Sequence, residues 1–199
     1  DRLHAAAEAG ELDTLEAIEA QARRLLGDPR AEGGIASFHA QWLELGTLDD
    51  LTKDTAVFPD WTPGLAASMR GETLRFVDAV VRQGDQKIET LLTAWFSFVN
   101  ADLAPLYGVQ PPAGGGFVKL ELDPKQRAGI LTQAAYLAGH AHSTEPSWVH
   151  RGKFVRERLL CQTIPAPPSN VDMSKLQDPD RLKNPDCRDC HLQMDPIGY

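Results

Sequence analysis

Cys187-Arg188-Asp189-Cys190-His191 is the stretch whose residue types and spacing could do chemistry. Two thiols three residues apart, on a turn entering a helix, can each form a thioether to one vinyl group of a haem. The imidazole that follows then lies under the iron and supplies a proximal nitrogen ligand. On this reading Cys187 and Cys190 hold a covalent haem c and His191 is the proximal iron ligand. The blander readings of C-x-x-C-H are a pair of ordinary cysteines or a small zinc site, and the C-terminal context favours haem.

The rest of the iron's surroundings must come from elsewhere in the chain. Only eight residues follow His191, and Met194 lies on the same side of the iron as His191 if both share one helix. A distal ligand is therefore expected from upstream, from sequence beyond this chain, or not at all. His140 and His142 stand in a segment with three histidines in eleven residues, and His142 is favoured because it lies nearer the chain reversal at Pro146. The bland alternative is a polar loop with histidines at a helix C-terminus, where the helix dipole favours them. Met69 reads as core filler on an apolar helix face, Met173 sits in a polar loop, and His39 reads as a core or surface histidine. Arg151 and Arg156 belong to a basic segment that could pair with haem propionates, since guanidinium groups bind carboxylates bidentately. Pro196, in the Pro-Ile-Gly turn, could cover the haem edge, and a backbone carbonyl there could accept the Nδ1 proton of His191.

These groups need a scaffold, and the hydrophobic periodicity predicts a helical one. Helical stripes cover residues 2–26 with a break at Gly10, then the segment from Pro29 to Gly46, then 63–82 and 86–99. A short helix over 100–107 ends at Gly108, and further helices are expected over 126–139 and 147–161. Phe117 to Leu122 alternates with period two and is the best strand candidate. Three consecutive glycines at 114–116 are followed by no Lys-Ser or Lys-Thr, which excludes a phosphate loop. The expected fold class is mainly α: a helical domain over residues 1–140 with one short β strand or hairpin, then a C-terminal haem-binding module over 141–199. That module comprises the basic helix, the connector Pro165-Ala166-Pro167-Pro168, and a cytochrome c-like attachment segment. Cys161 is expected on the apolar side of its helix as a buried thiol, unpaired because the other two cysteines are consumed by thioethers.

With 28 acidic against 20 basic residues, the net charge of −8 gives no basic stripe for nucleic acid. No run approaches the roughly 20 apolar residues of a membrane span. The chain opens on Asp1 in helical pattern and is expected to be a mature or trimmed piece of a longer polypeptide. Haem attachment of this type places it outside the cytoplasm, periplasmic or secreted.

Arg151-Gly152-Lys153-Phe154-Val155, Glu157, Leu159-Leu160-Cys161, the proline connector, Cys187 to His191 and Met194-Asp195-Pro196-Ile197-Gly198 together form a familiar arrangement. It resembles the C-terminal modules of the large planctomycete-type c-type cytochrome proteins, domains of unknown function. Asp28-Pro29-Arg30, Phe38 with Gln41-Trp42-Leu43, the stretch from Met69 to Thr73, and Asn100 to Gly108 resemble the helical module that precedes them. The resemblance implies a redox-active haem protein within a longer chain, whose partners are other domains of that chain or a separate redox protein. It also implies a ligand or pocket wall downstream of Tyr199.

Three functions fit these residues. An electron-transfer module with one covalent haem leads. A haem peroxidase or oxidase with an open sixth iron site ranks below it, because no distal acid–base pair is visible beyond the histidine cluster. A structural zinc domain would use Cys161, Cys187, Cys190 and His191 as a Cys₃His set, although adjacent Cys190 and His191 make tetrahedral closure awkward.

Overall fold

The computed structural model describes residues 2–166 and 182–199. Its first helix, α1 (Arg2–Glu8), ends before Gly10. Thr14 opens α2 (Leu15–Leu26), its hydroxyl accepting the Ala17 amide at 3.2 Å. α2 is amphipathic, as its spacing predicts, but none of its residues is buried and Leu15, Ile18 and Leu26 are exposed. α3 (Ala31–Trp42) and the single turn α4 (Thr47–Asp50) then pack against α5 (Pro63–Val81).

α5 is the centre of the core. Thr62 caps it by accepting the Leu65 amide at 3.0 Å, and Pro63 fills a first-turn position that needs no amide donor. Leu65, Met69, Phe76, Val77 and Val80 are buried along one side. Met69 is thus core, 4% exposed.

The expected helix over 86–99 is only half present. α6 (Ile88–Thr93) stops at Ala94, and Phe96–Val99 is a strand, β1. Its antiparallel partner is β2 (Val118–Glu121), the strand that the alternation predicts, in the register Phe96 to Glu121 and Val99 to Val118. Ser97 and Val99 face inward while Phe96 and Phe98 are half-buried, which is period two and not helical. Between the strands lies α7 (Ala104–Tyr107), closed by Gly108 at a left-handed φ of 64°.

The helix expected over 126–139 is likewise shortened. A 3-10 turn, Ile130–Thr132, precedes α8 (Ala134–Gly139). Gly129 is the reason: its φ is +65°, its amide donates to Ala94 O at 2.6 Å, and a Cβ there would fall on the Leu92 carbonyl. The basic segment forms α9 (Trp148–Phe154), capped by Ser147, and continues as a π-helical turn, Val155–Leu159. Cys161 follows in the left-handed region at φ 53° and is exposed, so the buried thiol expected on a helix is not found. The helical pattern ends two residues earlier than the sequence suggests, at Leu159.

α10 (Pro185–Met194) and a 3-10 turn, Asp195–Ile197, complete the described chain. Pro167, Pro168 and Met173 lie outside the described residues. Tyr136 and Phe154 join the core around α5. No helix among the described residues is long and apolar enough to cross a membrane.

Candidate functional site

α10 presents Cys187, Cys190 and His191 together, because helical spacing puts them within an arc of about 100°. Pro185 is the first helical residue, and the Cys187 and Arg188 amides both donate to Asn184 O at 3.1 and 2.9 Å. Cys187 is buried, Cys190 half-buried and His191 buried. None of the three cysteines is in a disulfide.

One helical turn further on, Asp195 reaches back to His191, with Oδ1 at 3.0 Å from Nδ1. The two residues are 5% and 7% exposed. A carboxylate only accepts, so the hydrogen bond places a proton on Nδ1, and in the neutral ring the lone pair is then on Nε2. This is the tautomer that a metal-ligating histidine needs. The acceptor is a side-chain carboxylate, not the backbone carbonyl of the Pro-Ile-Gly turn that the sequence suggests. The signal was present as a histidine and an aspartate four residues apart on one helix.

His191 and Asp195 line a cavity of about 520 Å³ together with Trp148, Leu192, Pro196 and Tyr199. Pockets for cofactors run to ~300–1,000 Å³. Trp148 and Tyr199 stack on each other in its wall, at 5.5 Å and 15°. Neither aromatic is singled out by the sequence motif. Of the three donors of α10, His191 lines this cavity, while Cys187 and Cys190 are not among its lining residues.

α9 braces this unit. A Cβ at Gly152 would fall on the Met194 carbonyl oxygen, and one at Gly198 on the Trp148 carbonyl oxygen, so the segments meet backbone to backbone. Arg156 Nε donates to Gln193 O at 2.9 Å and its Nη1 to Gln162 Oε1 at 2.9 Å. Arg151 holds a buried Nε with no hydrogen-bond partner. Met194 is buried in the same packing.

The upstream histidines stand elsewhere. His140 Nδ1 donates to Tyr136 O at 2.9 Å, and its ring lies 4.5 Å from Tyr136 and 4.8 Å from Phe154. Burial holds its pKa below the ordinary value. Its Nε2 is 3.7 Å from Glu44 Oε2, in a second cavity shared with His150 and Glu157. His142 packs on His150 at 5.0 Å. Neither His140 nor His142 lines the His191 cavity. Among the described residues no three His, Cys, Asp or Glu side chains form a group that could hold a metal ion. His39 is a buried histidine whose Nδ1 donates to Ile35 O at 2.8 Å.

Comparison with known families returns two matches. The family described as PSD4, protein of unknown function (DUF1592), matches residues 1–109, and PSCyt3, protein of unknown function (DUF1588), matches residues 127–199. No curated protein and no solved structure matches the chain. The two families are those of the planctomycete-type cytochrome c modules that the motifs resemble. The chain belongs to the PSD4 family over more than half its length and continues into the stretch that the PSCyt3 model matches, which carries Cys187, Cys190 and His191.

Proposed function

We propose that this chain is a c-type cytochrome module in which Cys187 and Cys190 bind one haem through thioethers and His191 Nε2 is its proximal ligand. The observation that carries this reading is the His191–Asp195 hydrogen bond at 3.0 Å, because it commits the imidazole to the tautomer with a bare Nε2. When bound, the haem supplies a one-electron couple, and electron transfer is the assigned activity.

The chain's own residues do the holding. α10 offers both thiols and the imidazole from one face. Trp148, Pro196 and Tyr199 wall the cavity beside His191. Arg151 is the better propionate partner of the two arginines, since its Nε is buried and unengaged while Arg156 is committed to Gln193 and Gln162. The sixth iron position is not drawn from His140 or His142 in this reading. The module spans residues 141–199 on a helical domain of 1–140, works outside the cytoplasm, and passes electrons to other domains of a longer chain or to a separate redox protein.

A peroxidase-type enzyme is the second reading. It is favoured by one observation: the described side chains lining the His191 cavity include no other histidine and no methionine.

Mass spectrometry of protein matured with the c-type attachment machinery tests the main reading. A haem adduct on the peptide containing Cys187 and Cys190 is expected, with a reduced spectrum of thioether-linked haem. Free thiols at both positions would falsify it.

A further inference from the structure

We propose that Asp195 is a positioning residue that holds the iron at a low reduction potential by placing a buried carboxylate on the proximal imidazole. The proposal rests on His191 being the haem ligand.

The sequence motif leads one to expect a neutral acceptor, a backbone carbonyl, behind His191. A carboxylate differs from that carbonyl by a full negative charge. Its Oδ1 lies 3.0 Å from Nδ1, and the two side chains are 7% and 9% exposed, so water screens the interaction little. A hydrogen bond from Nδ1–H to an anion draws the proton away from the ring and raises the electron density on Nε2. A more basic Nε2 favours the ferric iron, which carries one more positive charge than the ferrous. The couple is Fe(III) plus one electron giving Fe(II), with no bond made or broken in the protein. Asp195 thus opposes reduction through the oxygen it holds against Nδ1.

Geometry makes this a standing feature. Asp195 begins a 3-10 turn whose last carbonyl bond, Gly198 N to Asp195 O at 3.2 Å, fixes its backbone. Gly198 in turn sits on the Trp148 carbonyl of α9. The carboxylate is therefore held against His191 from two sides, by its own helix and by α9.

Spectroelectrochemical titration of the haem-loaded protein tests the idea on wild type, Asp195→Asn and Asp195→Glu. Asparagine keeps an acceptor oxygen and loses the charge; glutamate keeps the charge. Outer-shell partners of metal-bound histidines carry on the order of 10–100-fold in affinity. The same factor on the ferric-to-ferrous ratio raises the midpoint by about 60–120 mV, at 59 mV per decade for one electron. That rise in D195N, with D195E returning towards wild type, is the expected result. A D195N potential equal to wild type in protein carrying the haem adduct overturns the proposal and leaves the haem reading intact. Absence of the adduct from wild type overturns both. If D195N does not accumulate, the iron–histidine stretching frequency of ferrous wild type decides. It should lie above that of haem ligated by free imidazole, and coincidence of the two removes the charge effect.

Discussion

Gly152 on α9 and Met194 at the end of α10 touch through their backbones, with no side chain between them. A methyl group at Gly152 has nowhere to go, because it meets a carbonyl fixed within a helix and not the end of a flexible side chain. Gly152→Ala should destabilise the fold by about 1–3 kcal/mol, lowering Tm by ~2–12 °C for a chain of this size. Thermal melts of the two proteins check this, and an unchanged Tm would mean that the helices are not in contact.

Glu72 is fully buried, and its carboxylate accepts from Ser97 at 2.5 Å and from Tyr107 at 2.7 and 2.8 Å, with no cation bonded to it. Burial pushes its pKa up from 4.5 to about 7, against the lowering effect of those two donors. The folded state therefore binds the proton more tightly than the unfolded chain. This contribution is fully present below pH ~4.5 and is lost as pH rises through ~7. Wild-type stability should fall by roughly 3 kcal/mol from this group across that window, and Glu72→Gln should lack that fall. Denaturant melts at a series of pH values decide it, and parallel curves for the two proteins would count against a proton on Glu72.

His140 shifts the other way. Desolvation depresses its folded pKa, so the neutral ring is the stable form, and its contribution is present above pH ~6.5 and lost as pH falls below that. A His140→Phe variant should lose this acid-side slope. It should also lose about 1 kcal/mol at neutral pH with the bond to Tyr136 O. Equal acid sensitivity in both proteins would assign the slope to other groups.

The two threonine caps make opposite predictions from the same chemistry. Thr62→Ala removes the bond to the Leu65 amide at the head of the buried helix α5 and should cost about 1 kcal/mol of global stability. Thr14→Ala removes an equivalent bond at α2, which buries nothing. There the loss should appear as faster amide exchange within α2 at unchanged Tm. A global loss on Thr14→Ala would show that α2 is packed after all.

Those results bear on what the sequence could disclose. α5 was legible because its apolar residues recur at helical spacing and Thr62-Pro63 marks its start. The two free donors and the imidazole of α10 were legible because C-x-x-C-H is local. β1 was not: Phe96-Ser97-Phe98-Val99 holds too few residues to separate a strand from a helix face, and its partner lies some twenty residues downstream. The shortened helix before α8 was hidden for a similar reason, since Gly129 is fixed by a contact with Leu92 that no local pattern encodes. Asp195 was visible as a residue four beyond His191, but which acceptor reaches Nδ1 depends on how the chain turns after α10. The separation of His140 and His142 from the His191 cavity is a matter of which face of α9 each cavity adjoins, and the sequence holds no such information.

β1 lies within residues 1–109, and β2, its only partner in the sheet among the described residues, begins at Val118. Beyond it, Gln133 accepts from Thr73 of α5 at 2.8 Å, and Ile130, Ala135 and Tyr136 complete the core that α5 begins. A recombination breakpoint after residue 109 would strip the strand of its partner and open the buried side of α5 to water. The stretch that PSD4 matches therefore does not close its own core in this chain; residues past 109 complete it.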